Sequence, residues 1–278
     1  MTTETESVLR LNLPVFLVGC HRSGTTLARV LLNAHPRIAC PPESKFIAGL
    51  RSFMEYPQLH TAFRSLGLSA TEVHSHLKAF TVTILDSYAR SYGKLRWIDK
   101  TPNYYNCLDF IDEIFSEEVL YLFMIRHPFD TIQSLEGWGR GSYFFSDPEI
   151  ERHVQSNGAG RFSWAKYWKD VNDRLFTFAA GHPERSKLFR YEDLVRDPET
   201  TLREILECIG EQFSPNMIAH AFAADLKAKG FGDSKVRGTS SVHSKSVGKW
   251  RDWPHGERDA LWRIVGETAN LIGYSKEI

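Results

Sequence analysis

The sequence has 278 residues, of which 42% are hydrophobic and 24% are charged. This length suits one α/β domain with helical additions, and we expect residues 1–278 to form a single domain. Lysine plus arginine equals aspartate plus glutamate at 34 each, so no overall electric field attracts nucleic acid or an anionic membrane. Any anion-binding site must therefore be local.

The beginning of the sequence is polar and acidic, and we expect residues 1–12 to be a flexible tail. No basic segment precedes an apolar run there, which is the pattern of a secretory signal. No apolar stretch approaches the roughly 20 residues that span a bilayer. The scattered cysteines show no metal-binding or redox spacing, and they are Cys20, Cys40, Cys107 and Cys208. These features predict a cytoplasmic protein with reduced thiols and no metal site.

Three apolar runs, each followed by a helical pattern, predict the main strands. The first is Pro14–Gly19, and the helix after it covers Thr25–Ala34. The second is Val119–Ile125, with a helix that begins near Pro128, and a third lies near Lys187–Arg190. Strands that alternate with helices predict a parallel sheet covered on both faces.

Weaker patterns add further elements between these units. Leu95–Ile98 is typical of a strand. Apolar periodicity predicts helices over Glu43–Phe53, Thr71–Tyr92 and Phe162–Ala180. The stretch Lys227–Val247 is rich in glycine, serine and lysine and is predicted to be a long loop, which in a compact domain is usually functional or disordered.

The segment Gly19–Thr26 reads GCHRSGTT and has the spacing of a phosphate-binding loop between a strand and a helix. Its two glycines let the backbone wrap around an anion, and the positive end of the following helix favours negative charge. The segment predicts a P-loop three-layer α/β fold, with a central parallel sheet flanked by helices and with helical additions.

Two departures argue against the nucleotide-triphosphatase form of this loop. Thr25 stands where that form has a lysine, and Arg126 rather than an aspartate follows the second buried strand. An arginine there predicts a second anion site in place of a metal ion. A P-loop small-molecule kinase is the alternative hypothesis, and a nucleotide-sensing module without catalysis is a third.

Several segments resemble the sulfotransferases that use 3′-phosphoadenosine 5′-phosphosulfate (PAPS). Val18–Leu27 resembles their 5′-phosphosulfate-binding loop, and Arg126–Ser134 is similar to their 3′-phosphate-binding arginine and serine. The fragments that resemble the branch with the protein-tyrosine sulfotransferases are, in order, Ala34–Pro36, Cys40–Glu43, Asp99–Pro102, Arg190–Leu194 and Gly248–Trp250. The resemblance implies transfer of a sulfonate group from PAPS to an acceptor hydroxyl or amine.

The resemblance also implies catalytic roles. Arg22 and Lys100 would stabilise the charge that grows on the leaving phosphate. Glu43 would be the general base, and a carboxylate shielded from water can have a raised pKa. His21 is the rival base, because histidine titrates near neutral pH and this one stands in the loop where the family more often has proline.

The other site residues implied by the resemblance bind the donor or complete the active site. The donor-binding residues are Arg22, Ser23, Gly24, Thr25, Thr26, Arg126, Ser134, Tyr191 and Lys249. Ser234, in the long loop before Lys249, is the implied active-site serine.

Structural alternatives stay open for several of these residues. Arg126 could form an ion pair with Asp130, Lys100 could be a solvated lysine beside a turn, and Tyr191 could be a core residue. Glu43 could be a charge at a helix N-terminus. The aromatic stretch Trp138–Phe145 could cover an acceptor or fill the core.

The acceptor is predicted only as a class. The fold supplies the donor site, whereas variable loops select the acceptor. Because no signal peptide is visible, a small molecule such as a natural product or a lipid-like alcohol is expected rather than a tyrosyl peptide.

Overall fold

The computed structural model describes residue 10 and residues 13–138, 148–225 and 239–276. Apart from Arg10, the predicted tail lies outside the described residues. The same is true of Ser234, and of the aromatic stretch beyond the backbone of Trp138.

The centre of the fold is a parallel sheet of five strands in the order β2-β3-β1-β4-β5. The strands are β1 Val15–Gly19, β2 Ile38–Ala39, β3 Arg96–Lys100, β4 Leu120–Ile125 and β5 Ser186–Arg190. The predicted parallel sheet is thus confirmed, while the two-residue strand β2 was missed because so short a run shows no periodicity. Since parallel strands end at one edge, Gly19, Lys100 and Ile125 mark the edge where a ligand would bind.

Helices cover both faces of the sheet, as expected for a three-layer α/β fold. They are α1 Thr25–Asn33, α2 Phe46–Met54, α3 Pro57–Ser65, α4 Ala70–Ser91, α5 Leu108–Phe115, α6 Pro128–Trp138, α7 Pro148–Asn157, α8 Arg161–Gly181, α9 Tyr191–Arg196, α10 Pro198–Cys208, α11 Met217–Asp225 and α12 His255–Leu271. In the described part of the chain, short 3₁₀ helices cover Pro102–Asn106, Pro183–Arg185 and Lys249–Asp252.

The predicted helix Glu43–Phe53 begins later than its periodicity indicates. Lys45 has a φ angle of +58°, which is left-handed and ends any continuous right-handed helix at that point. Helix α2 therefore starts at Phe46, and Glu43 lies in the preceding loop rather than in a first helical turn. The alternative of Glu43 as a helix N-terminal charge is wrong for this reason.

Strand β1 separates two apolar cores, because alternate side chains of a strand point to opposite faces. Phe16 and Val18 belong to one core, and Val15 and Leu17 to the other. All four are fully buried, and each buried side chain of this size stabilises the fold by about 1.5–3 kcal/mol. The loop that follows β1 is thus carried by a strand that is buried along its whole length.

Every helix in the described part of the chain is too short or too polar to cross a bilayer.

Candidate active site

The loop Gly19–Thr26 joins β1 to α1 and has the form of an anion cradle. Gly24 has a φ angle of +97°, and a Cβ atom there would lie 2.4 Å from the ring of Tyr191. A Cβ atom at Gly19 would lie 2.6 Å from the carbonyl oxygen of Met124. Both positions therefore require glycine. Gly24 offers no side-chain cap, so the positive end of α1 faces the loop.

Arg22 links this loop to helix α6. Its Nε donates a hydrogen bond to Ser134 Oγ at 3.0 Å, so the structure brings these two predicted donor-site residues into contact. The backbone of Arg22 is left-handed, with a φ angle of +69°. Such a conformation costs about 1–3 kcal/mol in a residue other than glycine, and strain of this kind concentrates at functional sites.

Arg126 lies behind the loop, buried at the end of β4. Its Nη1 donates to the carbonyl oxygen of Arg22 at 3.0 Å, and its Nη2 donates to that of Ser246 at 2.5 Å. In these contacts Arg126 binds backbone carbonyls, and not the Asp130 carboxylate that the sequence left open as its partner. The Asp130 carboxylate instead accepts the backbone N–H groups of Gly248 and Lys249, at 2.8 and 3.2 Å.

Tyr191 forms a wall of the same site. Its ring lies 4.6 Å from the guanidinium carbon of Arg126 and packs against Gly24, and burial raises the pKa of its hydroxyl. The residue therefore belongs both to the core and to the site.

Lys249 begins the 3₁₀ helix that Asp130 holds by its backbone. The next residue, Trp250, is buried and stacks on the ring of His127, with centroids 4.9 Å apart. The segment is anchored by these two contacts.

Two polar atoms of the cradle are buried without a hydrogen-bond partner in the described part of the chain: Ser23 Oγ and Arg126 Nε. Buried polar groups are ordinarily paired, so unpaired ones in a site call for an explanation. A bound phosphate or sulfonate oxygen would supply the missing acceptor for both donors.

Glu43 and Lys100 form an ion pair beside this cradle. Lys100 Nζ donates to Glu43 Oε1 at 2.8 Å, and Lys45 Nζ lies 3.7 Å from Glu43 Oε2. Lys100 is the last residue of β3 and its side chain is 0% exposed, so the alternative of a solvated lysine is wrong. Breaking a buried pair by removing one partner leaves an uncompensated charge and costs about 3–5 kcal/mol.

The pKa of Glu43 departs from the sequence-based expectation. Burial raises the pKa of this carboxyl, but the attraction and hydrogen bond of Lys100, together with His21 and Lys45, lower it more. The net pKa lies below the ordinary value, whereas a raised pKa was expected from burial alone. The pKa of Lys100 is also lowered, because burial lowers it more than the nearby Glu43 carboxylate raises it.

A second buried network fixes the Glu43 segment to β3. Ser44 Oγ donates to Asp99 Oδ2 at 2.6 Å and lies 2.9 Å from the Tyr104 hydroxyl, which accepts the N–H of Ile47 at 3.2 Å. Burial raises the pKa of Asp99 to about 6. Sequence reasoning missed this network, although Ser44 and Asp99 are the immediate neighbours of Glu43 and Lys100.

His21 also has a buried partner that the sequence did not indicate. Its Nδ1 lies 2.6 Å from the hydroxyl of Tyr167 in α8, and that hydroxyl lies 3.2 Å from the hydroxyl of Tyr105. These residues are 146 and 62 positions apart in the chain, so no local pattern could have paired them.

The structure thus brings most of the predicted site residues to one edge of the sheet. Ser234 lies outside the described residues, so its predicted role is untested. Within residues 13–138, 148–225 and 239–276, no three histidine, cysteine, aspartate or glutamate side chains are grouped as metal ligands would be.

Comparisons with known proteins identify the family of the chain. A sulfotransferase family model matches residues 14–215. Nodulation protein NoeE of Sinorhizobium fredii is 28% identical over 99% of this chain and 69% of its own length. A protein-tyrosine sulfotransferase of Drosophila melanogaster is 24% identical over 94% of this chain, which spans about half (51%) of that protein.

Solved sulfotransferase structures share this fold. The sulfotransferase domain of the Synechococcus PCC 7002 olefin synthase superimposes with a TM-score of 0.63 at 22% identity, covering 94% of this chain and 95% of that one. A mouse sulfotransferase, SULT7A1, complexed with PAP superimposes with a TM-score of 0.52 at 15% identity, covering 96% of this chain and 90% of that one. At these identities the likeness concerns the fold.

Proposed function

The chain belongs to the sulfotransferase family, and from this premise we propose that it transfers a sulfonate group from PAPS to a hydroxyl or amine of a small-molecule acceptor. One observation carries the proposal. The buried Glu43–Lys100 pair, a carboxylate with a cation, lies beside a phosphate-type loop that contains Arg22. Acid–base and charge-stabilising groups are thus combined with an anion cradle, as an in-line displacement requires.

The donor site in this proposal has two anion positions. The loop residues Arg22, Ser23, Gly24, Thr25 and Thr26 hold the 5′-phosphosulfate. Arg126 and Ser134 hold the 3′-phosphate, with Tyr191 and Lys249 at the nucleotide. The unpaired buried donors Ser23 Oγ and Arg126 Nε support this assignment, because each would gain an anionic acceptor.

The reaction moves one group and one proton. The acceptor oxygen or nitrogen forms a bond to sulfur while the bond between sulfur and the 5′-phosphate oxygen breaks, and adenosine 3′,5′-bisphosphate (PAP) leaves. Arg22 and Lys100 stabilise the charge that develops on the leaving phosphate, and Glu43 takes the acceptor's proton. Ser234 keeps its proposed place as an active-site serine, and His21 is the rival proton acceptor.

Glu43 and Lys100 cannot serve the reaction while they bind only each other. When Lys100 turns towards the leaving phosphate, the strongest influence that lowers the pKa of Glu43 is removed. The carboxylate then becomes a better proton acceptor at the moment it is needed. Lys45, whose Nζ lies 3.7 Å away, keeps a positive charge near Glu43 during this exchange.

The two alternative functions fit these residues less well. A small-molecule kinase requires a loop lysine and a metal-holding aspartate, and Thr25 and Arg126 stand in those places. A nucleotide sensor has no use for the Glu43–Lys100 pair.

We further propose that the protein is cytoplasmic and that its acceptor is a natural product or a lipid-like alcohol. The free thiols of Cys20, Cys40 and Cys107 are buried, as is common in proteins of a reducing compartment.

The test is an acceptor screen with radiolabelled PAPS in the presence of a chelator, read by label transfer and product mass. The expected result is an acceptor that gains the mass of one sulfonate group while PAP is released. ATP with magnesium is the comparison donor. Phosphorylated product from ATP, with none from PAPS, would support the kinase instead.

A further inference from the structure

His21 occupies the donor loop, and its ring has two distinct edges. The Nδ1 edge lies against the Tyr167 hydroxyl at 2.6 Å, and Tyr167 in turn packs against the rings of Tyr105 and His153. The Nε2 atom lies on the opposite edge of the ring, and His21 is close enough to Glu43 to influence its pKa. Which nitrogen carries the proton decides whether His21 donates to the site or accepts from it.

The hydroxyl groups form a chain that ends at the imidazole. The Tyr105 hydroxyl lies 3.2 Å from the Tyr167 hydroxyl, which lies 2.6 Å from His21 Nδ1. If Tyr105 donates to Tyr167 and Tyr167 donates to Nδ1, each bond polarises the next and strengthens it. In this direction Nδ1 is an acceptor, so the proton of the neutral ring resides on Nε2.

The charge beside the ring favours the same arrangement. Glu43 is held in its ionised form, since its pKa is lowered mainly by Lys100. An ionised carboxylate is an acceptor only, so a nearby N–H group is more stable than a nearby nitrogen lone pair. The charge of Glu43 therefore acts in the same direction as the Tyr167 hydroxyl.

We propose that Tyr167, supported by Tyr105, holds His21 as the neutral Nε2–H tautomer, so that His21 donates a hydrogen bond in the donor loop and does not accept the acceptor's proton. The proposal rests on the proposed function, in which Glu43 is the base. His21 then stabilises negative charge on the transferring group, and Tyr167 is a positioning residue. A donor aimed at developing charge accelerates a reaction more than it tightens ground-state binding.

The first test reads the tautomer without any turnover. The full chain is labelled with ¹⁵N in its histidine rings, and the His21 signals among the 11 histidines are identified by their loss in His21→Gln. The expected spectrum shows a protonated Nε2 and an unprotonated Nδ1. In Tyr167→Phe the same signals should shift towards a mixture of tautomers. A protonated Nδ1 in the wild-type chain would overturn the proposal, whether or not the chain transfers sulfonate.

The second test uses two amides that imitate different edges of the ring. The amide N–H of glutamine reaches the position of Nε2, whereas that of asparagine reaches only the position of Nδ1. We expect His21→Asn to lower kcat by about 100-fold, as for the loss of one donor to developing charge. His21→Gln should stay within about tenfold of the wild type, the size of one ordinary hydrogen bond. Equal inactivation of both variants, with PAP binding intact, would make His21 the base.

Tyr167→Phe completes the series. It should lower kcat about tenfold through loss of one hydrogen bond while the KM for PAPS stays unchanged. Tyr92→Phe, at an exposed tyrosine of the same chain, is the matched control and should behave as wild type. An effect of Tyr167→Phe on stability alone, with wild-type kcat and an unchanged His21 spectrum, would show that the contact is merely structural and would overturn the proposal.

Discussion

The donor cradle and the Glu43–Lys100 region lie at the same edge of the sheet, yet they are held in different ways. In the cradle, Arg22 donates to a serine hydroxyl and Arg126 donates to two backbone carbonyls, all of which are neutral groups. Glu43 and Lys100 are held by each other. In the proposed function the cradle is therefore ready for its ligand, whereas Glu43 and Lys100 must exchange partners before they can act.

The largest expected effect is at the pair itself. Glu43→Gln keeps the shape of the side chain and removes the proton acceptor, so kcat should fall by about 10²- to 10⁴-fold. The affinity for PAP, measured by calorimetry, should stay the same or rise, because the cradle does not depend on Glu43 and Lys100 no longer has to leave an ionised partner to reach the phosphate. Near-wild-type turnover of Glu43→Gln would contradict the assignment of the base.

The stability contributed by Asp99, which lies behind the Glu43–Lys100 pair, should depend on pH. Burial raises the pKa of Asp99 from 3.8 to about 6, so its folded-state pKa lies above the unfolded one. Its stabilising contribution is then fully present below pH 3.8 and is lost as pH rises through about 6. Relative to Asp99→Asn, the wild type should lose up to about 3 kcal/mol of unfolding free energy over this range.

Urea unfolding of both proteins between pH 4 and pH 7 measures this difference. The other carboxylates titrate in both proteins, so their effect on the unfolding free energy cancels in the difference. A difference that stayed constant with pH would show that burial does not raise the pKa of Asp99.

A substitution in the cradle should have a smaller effect, and it should weaken the binding of one ligand more than that of another. Arg126→Ala removes the proposed charged hydrogen bond to the 3′-phosphate, worth about 1.5–3 kcal/mol, so PAP should bind about 10- to 100-fold more weakly. Adenosine 5′-phosphosulfate, the donor analogue without a 3′-phosphate, should lose little. Equal losses for the two ligands would place Arg126 elsewhere in the site.

No effect is expected from removal of metal ions. PAP should bind with the same affinity in chelator and in magnesium, because the cradle meets its anions with arginine side chains and backbone N–H groups. Calorimetry under both conditions decides this. If PAP bound only in magnesium, the cradle would be incomplete without a metal ion. It could then no longer be contrasted with the Glu43–Lys100 pair as the part that is ready for its ligand.

The cradle could be predicted from the sequence because its determinants are local. Gly19 and Gly24 stand at the spacing of a phosphate-binding loop, and that loop follows the first apolar strand. Arg126 was likewise identifiable by its place directly after a buried strand. Short-range geometry and residue type contain this information.

The catalytic side depended on contacts between distant segments. The Lys100–Glu43 and His21–Tyr167 contacts join residues 57 and 146 positions apart. The pKa expectation for Glu43 had the wrong direction because burial was considered without the paired lysine. The left-handed Lys45, which moves Glu43 out of helix α2, likewise has no signal in apolar periodicity.

The exchange of partners by Glu43 and Lys100 is tested most directly by the pKa of Glu43 with and without PAP. Glutamate side-chain carboxyls labelled with ¹³C are titrated by NMR, and the Glu43 signal is identified by its loss in Glu43→Gln. In the free protein the pKa should lie below the ordinary glutamate value. PAP should raise it, because Lys100 turns to the bound phosphate. A pKa of Glu43 that PAP leaves unchanged or lowers further would contradict this account.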